Sequence, residues 1–187
     1  MDLQRIGIKI FAEDSAGIQV RDFIPVFHSW IQKQALANHL LIDVHNYSHI
    51  HNGPGILLVA QEGNFSIDLG DGRMGLLYYR KNGGNGFASV LKAALQACSL
   101  LESESSLSGR MRFRTDELQI MANDRLLAPN SDVTLAALRP ELLSALKCAL
   151  PESQITLSRS SVNPKERFAV HVEASPSADV KTLLDRL

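Results

Sequence analysis

Three of the six histidines in this chain fall within seven residues, in the segment Asp43-Val-His45-Asn-Tyr47-Ser-His49-Ile-His51. Neutral imidazole ligates borderline metals and titrates near neutral pH, so this composition suits a metal site or a proton-transfer site. His45 and His49 have a spacing found in zinc pairs. No cysteine lies nearby, however, and a third ligand would have to be His51, Asp43 or Glu62. As a catalytic set the candidates are Asp43, His45, Tyr47 and His49. The plainer reading is an exposed polar loop, closed by Gly53-Pro54-Gly55, with one histidine packed on Tyr47. No metal and no cofactor are expected.

Other segments carry weaker signals. Glu62 ends an apolar run, where partial burial could make it a usable acid or base. Antiparallel pairing of the flanking strands would hold it away from His45, so the two are not expected to share a ligand. Arg80 and Lys81 precede Gly83, Gly84 and Gly86 at a helix start, where backbone amides and two cations suit an anion. With His51 they complete the ligand-binding candidates, although the glycines match neither a phosphate loop nor a dinucleotide fingerprint. Arg110, Arg112 and Arg114 alternate and would share one face of a strand. With Asp116 and Glu117 next to them, they read as a solvated outer face. Nucleophile elbows, Cys-x-x-Cys pairs and His-Glu-x-x-His helices are absent from the sequence.

The elements that must position these groups can be read from hydrophobic period. Leu3, Ile6, Ile8 and Ile10 alternate as a half-buried strand. Asp22 caps a helix with Pro25 in its first turn and a stripe of Phe23, Phe27, Trp30 and Ile31. Strands are expected at 40–44 and 55–61, the second apolar on both faces and therefore central. A meander continues through 64–69 and 74–80, with turns at Glu62-Gly63 and Gly70-Asp-Gly72. Phe87 to Leu101 has helical period, and Glu102–Gly109 is a polar seam. The second half is expected to open with a hairpin, Met111 and Phe113 leading to a turn at Thr115-Asp116 and a return through Leu118 and Ile120. A helix over 139–149 starts at Pro140. Strands at 154–158 and 167–173 flank the loop Arg159–Glu166, and Ser177 caps a last helix.

This order repeats. Ile8-Lys-Ile-Phe-Ala-Glu-Asp14 is restated 110 positions later as Leu118-Gln-Ile-Met-Ala-Asn-Asp124, and Pro25 and Ser29 are matched by Pro140 and Ser144. The fold expected is α+β: a mainly antiparallel sheet with about four helices, built from two strand–helix–strand–strand units. Residues 1–187 would form one domain with an internal pseudo-repeat, its halves being 1–103 and 109–187.

Composition limits the function. With 187 residues, 45% apolar and 21% charged, the chain can bury a sizeable core. A net charge of −1 gives no global pull towards nucleic acid or an anionic membrane. No apolar run approaches a membrane span and no signal peptide is visible, so a cytoplasmic protein is expected. Cys98 and Cys148 read as reduced, buried hydrophobes.

The segments Gly53-Pro-Gly-Ile-Leu-Leu-Val-Ala-Gln-Glu-Gly-Asn64 and Asn123-Asp-Arg-Leu-Leu-Ala-Pro-Asn130, with the Asp43–His49 stretch, resemble those of a family of small bacterial proteins. The resemblance implies a bacterial, intracellular origin and brings no activity and no site assignment. The reading is a binding or interaction module that self-associates as a homodimer or larger homo-oligomer. The alternative is a small enzyme, possibly metal-dependent, with its site in Asp43–His51.

Overall fold

The computed structural model describes residues 3, 5–13, 17–82 and 86–187. Asp14 and the glycines Gly83 and Gly84 lie outside them. Eight strands form one antiparallel sheet: β1 (Ile6–Ala12), β2 (Leu41–Tyr47), β3 (Gly55–Ala60), β4 (Gly63–Asp68), β5 (Gly75–Arg80), β6 (Phe113–Ala122), β7 (Gln154–Arg159) and β8 (Ala169–Ser175). Their order is β2-β3-β4-β5-β1-β6-β8-β7. Four helices, α1 (Phe23–Lys33), α2 (Gly86–Glu102), α3 (Asp132–Ala149) and α4 (Val180–Asp185), complete the α+β fold.

Strand alternation decides which face the helices cover. Ile8, Ile10, Ile56, Leu58, Phe65, Ile67, Leu76, Ile120, Val170 and Val172 are each at most 2% exposed and join the helices in the main core. On α1 the stripe packs as its period requires: Phe23, Phe27 and Trp30 are buried, with Phe27 and Trp30 ring centroids 5.3 Å apart. Gln34 ends that helix in a left-handed turn (φ 46). Its amide accepts from Leu41 N at 3.0 Å and donates to Leu41 O at 3.0 Å, which locks α1 to the edge strand β2.

Four local expectations change. First, Phe113–Ala122 is one ten-residue strand, not a hairpin. Thr115 and Asp116 have turn-forming side chains, but Thr115 Oγ1 donates to Ala178 O and Arg114 clamps Asp116 at 2.8 and 3.0 Å, so the backbone stays extended. Arg110 and Arg112 precede the strand and donate to Gly17 O and Glu102 O, so the three arginines form no stripe. Second, α3 begins at Asp132, with Ser131 accepting from Thr134 N at 3.2 Å. Pro140 lies inside it; both Pro140 and Ala136, whose carbonyl loses its partner there, are exposed and can be hydrated. Third, Asp179, not Ser177, caps α4 through Thr182 N at 2.7 Å. Fourth, Cys148 is exposed.

Each half runs strand–helix–strand–strand in chain order, but the sheet places them differently. Beyond β6 come β8 and then β7, whereas beyond β1 come β5 and then β4, with β3 and β2 at the far end. By position, then, β4–β5 and not β2–β3 corresponds to β7–β8. β3, apolar on both faces, is consequently second from an edge instead of central, and Leu57 and Val59 are half-buried. Between β1 and β6 the register pairs Ile8 with Ile120, Lys9 with Gln119 and Ile10 with Leu118. A twofold axis through the Lys9–Gln119 pair interchanges the other two, and it is the same 110-residue offset read from the sequence.

Candidate functional site on the open sheet face

The histidine segment is largely strand. β2 continues to Tyr47, so Asp43, His45 and Tyr47 alternate on one side of an edge strand and the turn begins only at Ser48. Asp43 therefore does not close the strand; it pairs with Val59. His45 Nε2 lies 3.5 Å from Asp43 Oδ2, and both side chains are about half exposed. The rings of His45, Tyr47 and His49 succeed one another at 6.1 and 6.5 Å. His49 and His51 are exposed. Among the described residues no three His, Cys, Asp or Glu side chains come together as a metal set. Glu62 accepts from Leu40 N at 2.9 Å, at the opposite end of β2 from Tyr47.

Arg80 and Lys81 tie chain segments together. The Arg80 guanidinium, 7% exposed, donates to Leu3 O, Gly86 O and Ser89 Oγ. Lys81 Nζ donates to Ala60 O at 2.6 Å. Nearby, His39 Nε2 and the Tyr78 hydroxyl lie 2.9 Å apart, and burial pushes the Tyr78 phenol up to about 12.

The sheet face away from the helices brings a different set together. Its cross-strand registers join one row over all eight strands: His45, Leu57, Ser66, Leu77, Lys9, Gln119, His171 and Ser158. Lys9 stands at the centre and is 1% exposed, because the β4–β5 connection, residues 69–74, folds over it. Its ammonium donates to Asp68 Oδ2 at 2.6 Å and to Gly70 O at 2.7 Å. Gly75 makes room beneath: a Cβ there would stand 2.6 Å from Ile10 O and 3.0 Å from the Lys9 stem. Lys9 was hidden in the sequence because one lysine between Ile8 and Ile10 reads as the wet side of an alternating strand.

Beside this pair, Arg73 crosses the Phe11 ring at 3.8 Å and binds Glu117 through both guanidinium nitrogens, at 2.5 and 2.9 Å. Arg114 adds a contact to Glu117 at 3.0 Å, and His171 Nε2 stands 3.6 Å away. The hydrogen bonds from Arg73 hold the Glu117 carboxyl below the usual glutamate range; Arg114 does the same for Asp116. Sign follows from direction: a carboxyl with a lowered folded pKa stabilises the fold above its unfolded pKa, and that stability is lost as pH falls through the folded value. Glu117→Gln is expected to be less stable than the parent at neutral pH and equal to it in acid. Urea midpoints measured across the acid range check this, and parallel curves would contradict it.

A cleft of about 300 Å³ opens next to the network, with Phe11, Asp71, Arg73, Gln119, Ser160 and His171 in its walls. It shares Asp71, Gln119 and Ser160 with a neighbouring cleft of about 550 Å³, whose rim carries Arg125, Lys165 and Arg167. Gln119, 8% exposed, is the floor common to both. A wider groove of about 950 Å³ lies at the end of α2, where burial raises the Glu102 carboxyl. Glu102 there serves the backbone, accepting from Phe113 N at 2.9 Å.

The protein thus has the architecture of an antiparallel α+β sheet with one helix-covered face and one open, charged face. No protein-family model matches the chain, and no curated protein matches it. No helix among the described residues is long and apolar enough to cross a membrane.

Proposed function

We propose that this chain is a binding module, not an enzyme, and that it holds its ligand on the open face of the sheet. The observation that carries this reading is the Lys9–Asp68 and Arg73–Glu117 network with a cleft alongside it. Such a network stiffens the walls of a site. Its Glu117 makes a poor acid–base group, since a carboxylate held below its usual range resists protonation and is a weak base. The strip Asp43–His51, the alternative enzyme site, lies on an exposed edge strand and the turn after it.

The same reading includes self-association. β2 is a terminal strand of the sheet; Gln34 takes the N–H and C=O of Leu41 and Asp43 accepts from Val44 N, while the side chains of Leu40 and Ile42 are 51% and 55% exposed. A second copy packing against that edge would cover both side chains. Native mass spectrometry at low salt tests the two parts separately. The parent chain should appear as a dimer that retains a small-molecule mass. Ile42→Lys should give a monomer that keeps the small molecule, and Ser160→Arg a dimer that loses it. A monomeric parent would remove the association; a small molecule indifferent to Ser160→Arg would remove the open face as the site.

A further inference from the structure

The two polar residues on the sheet's axis have unequal surroundings. Lys9 and Gln119 are direct cross-strand partners, and each lies under the connection of its own hairpin: residues 69–74 between β4 and β5 for Lys9, residues 160–168 between β7 and β8 for Gln119. Lys9 is met twice, by the Asp68 carboxylate at the end of β4 and by the Gly70 carbonyl of the connection. Gln119 is met once. Its Nε2 donates to Ser160 Oγ at 3.2 Å, while Oε1 is buried and has no hydrogen-bond partner. A buried amide oxygen left in that state costs about 1–3 kcal/mol; Oε1 is sealed from the solvent, so a ligand donor meets it only when the side chain rotates into the clefts that Gln119 lines. Turning the amide over would leave an N–H unmet instead, and a hydroxyl satisfies either orientation.

Charge around the cleft is also unbalanced. Arg73 is taken up by Glu117 and Arg159 by Asp132. Among the described residues Arg125, Lys165 and Arg167 make no ion pair. Two carboxylates share their cleft: Asp71, from the 69–74 connection, and Glu166, which accepts from Asn163 at 3.2 Å. Three unpaired cations against these two leave a surplus of positive charge, and the cleft is large enough for a molecule of a dozen heavy atoms.

We infer that this cleft binds a small polyhydroxylated anion, a sugar phosphate or sugar acid, with a hydroxyl on Gln119 and Ser160 and its anionic group at Arg125, Lys165 and Arg167. The inference rests on the open face being the binding surface and adds the class of ligand. A phosphate or carboxylate in reach of two guanidinium groups and an ammonium gains charge-assisted hydrogen bonds. The hydroxyls make the contact that inorganic phosphate alone lacks.

The test is an NMR titration of the full chain at low salt with glucose 6-phosphate, ribose 5-phosphate and gluconate, set against glucose and inorganic phosphate. At least one of the three polyhydroxylated anions should shift the Gln119 side-chain amide and the backbone signals of Ser160 and Ala169. Its affinity should exceed that of glucose and of phosphate by about tenfold or more, as expected when one anchored group is lost. Gln119→Leu should weaken it by a similar factor with the amide spectrum otherwise unchanged; if that variant unfolds, Ser160→Ala carries the comparison. Glucose or phosphate binding as tightly in the cleft would overturn the ligand class while leaving the open face as the binding surface. Shifts confined to β2 and residues 48–52 would overturn both. No response to any of the three anions would overturn the class.

Discussion

Replacing Lys9 with methionine is expected to lower the unfolding free energy by about 3–5 kcal/mol, the loss typical of one partner removed from a buried ion pair. Methionine keeps the length of the stem, so packing beneath the 69–74 connection changes little. What remains is the Asp68 carboxylate, 13% exposed, with only Gly70 N as donor at 3.0 Å, and the Gly70 carbonyl without its ammonium. Much of the cost comes from that stranded charge. Lys9→Met combined with Asp68→Asn should therefore recover part of it, because an amide is cheaper to bury than a carboxylate. Urea unfolding of the parent, the single and the double variant measures both effects. A single-variant loss below about 1 kcal/mol would mean that the pair behaves as an ordinary surface contact.

Trp30→Ala is the second large effect, at about 3–5 kcal/mol, as for other large aromatic truncations in cores. The side chain is 3% exposed and tilts against Phe27, which is fully buried. The vacated space lies between α1 and the sheet, where Gln34 already fixes the helix end to β2, so collapse around it is restricted. The same residue offers an independent optical check: tryptophan emission of the native chain should be blue-shifted and move to the red on unfolding. Emission already typical of water in the native state would count against this packing.

The covered face was legible because a period of two or of 3.6 reports burial directly. Ile8, Ile10, Phe65, Ile67 and the Phe23–Trp30 stripe all went where their spacing sends them. Errors came where a tertiary contact overrides a local preference. Thr115 and Asp116 look like a turn and are extended because Ala178 and Arg114 hold them; Pro140 looks like a helix start and lies inside one because Ser131 supplies an earlier cap. The β3-β4-β5 meander was legible from its two tight turns, but the rest of the sheet order was not, since chain order gives no hint that β1 would pair with β5 on one side and β6 on the other.

The site was hidden for a related reason. Composition draws attention to histidines, which cluster on exposed β2, and says nothing of a single Lys9 or Gln119 between isoleucines and leucines. A signal was nonetheless present. The repeated segment sets a polar residue at equivalent places, Ile8-Lys9-Ile10 and Leu118-Gln119-Ile120, and those two residues meet on the sheet's axis. Arg73 and Glu117, 44 residues apart, could be joined only by the fold.

The most direct test of the open face as the binding surface is an amide chemical-shift map of the full chain. The spectra compared are those with and without a small-molecule extract of the cells that produced it. The account predicts shifts on β6, β8 and the 160–167 connection, centred on the Gln119 side-chain amide, with β2 and residues 48–52 unmoved. Shifts centred on His45, Tyr47 and His49, with Gln119 unmoved, would contradict it.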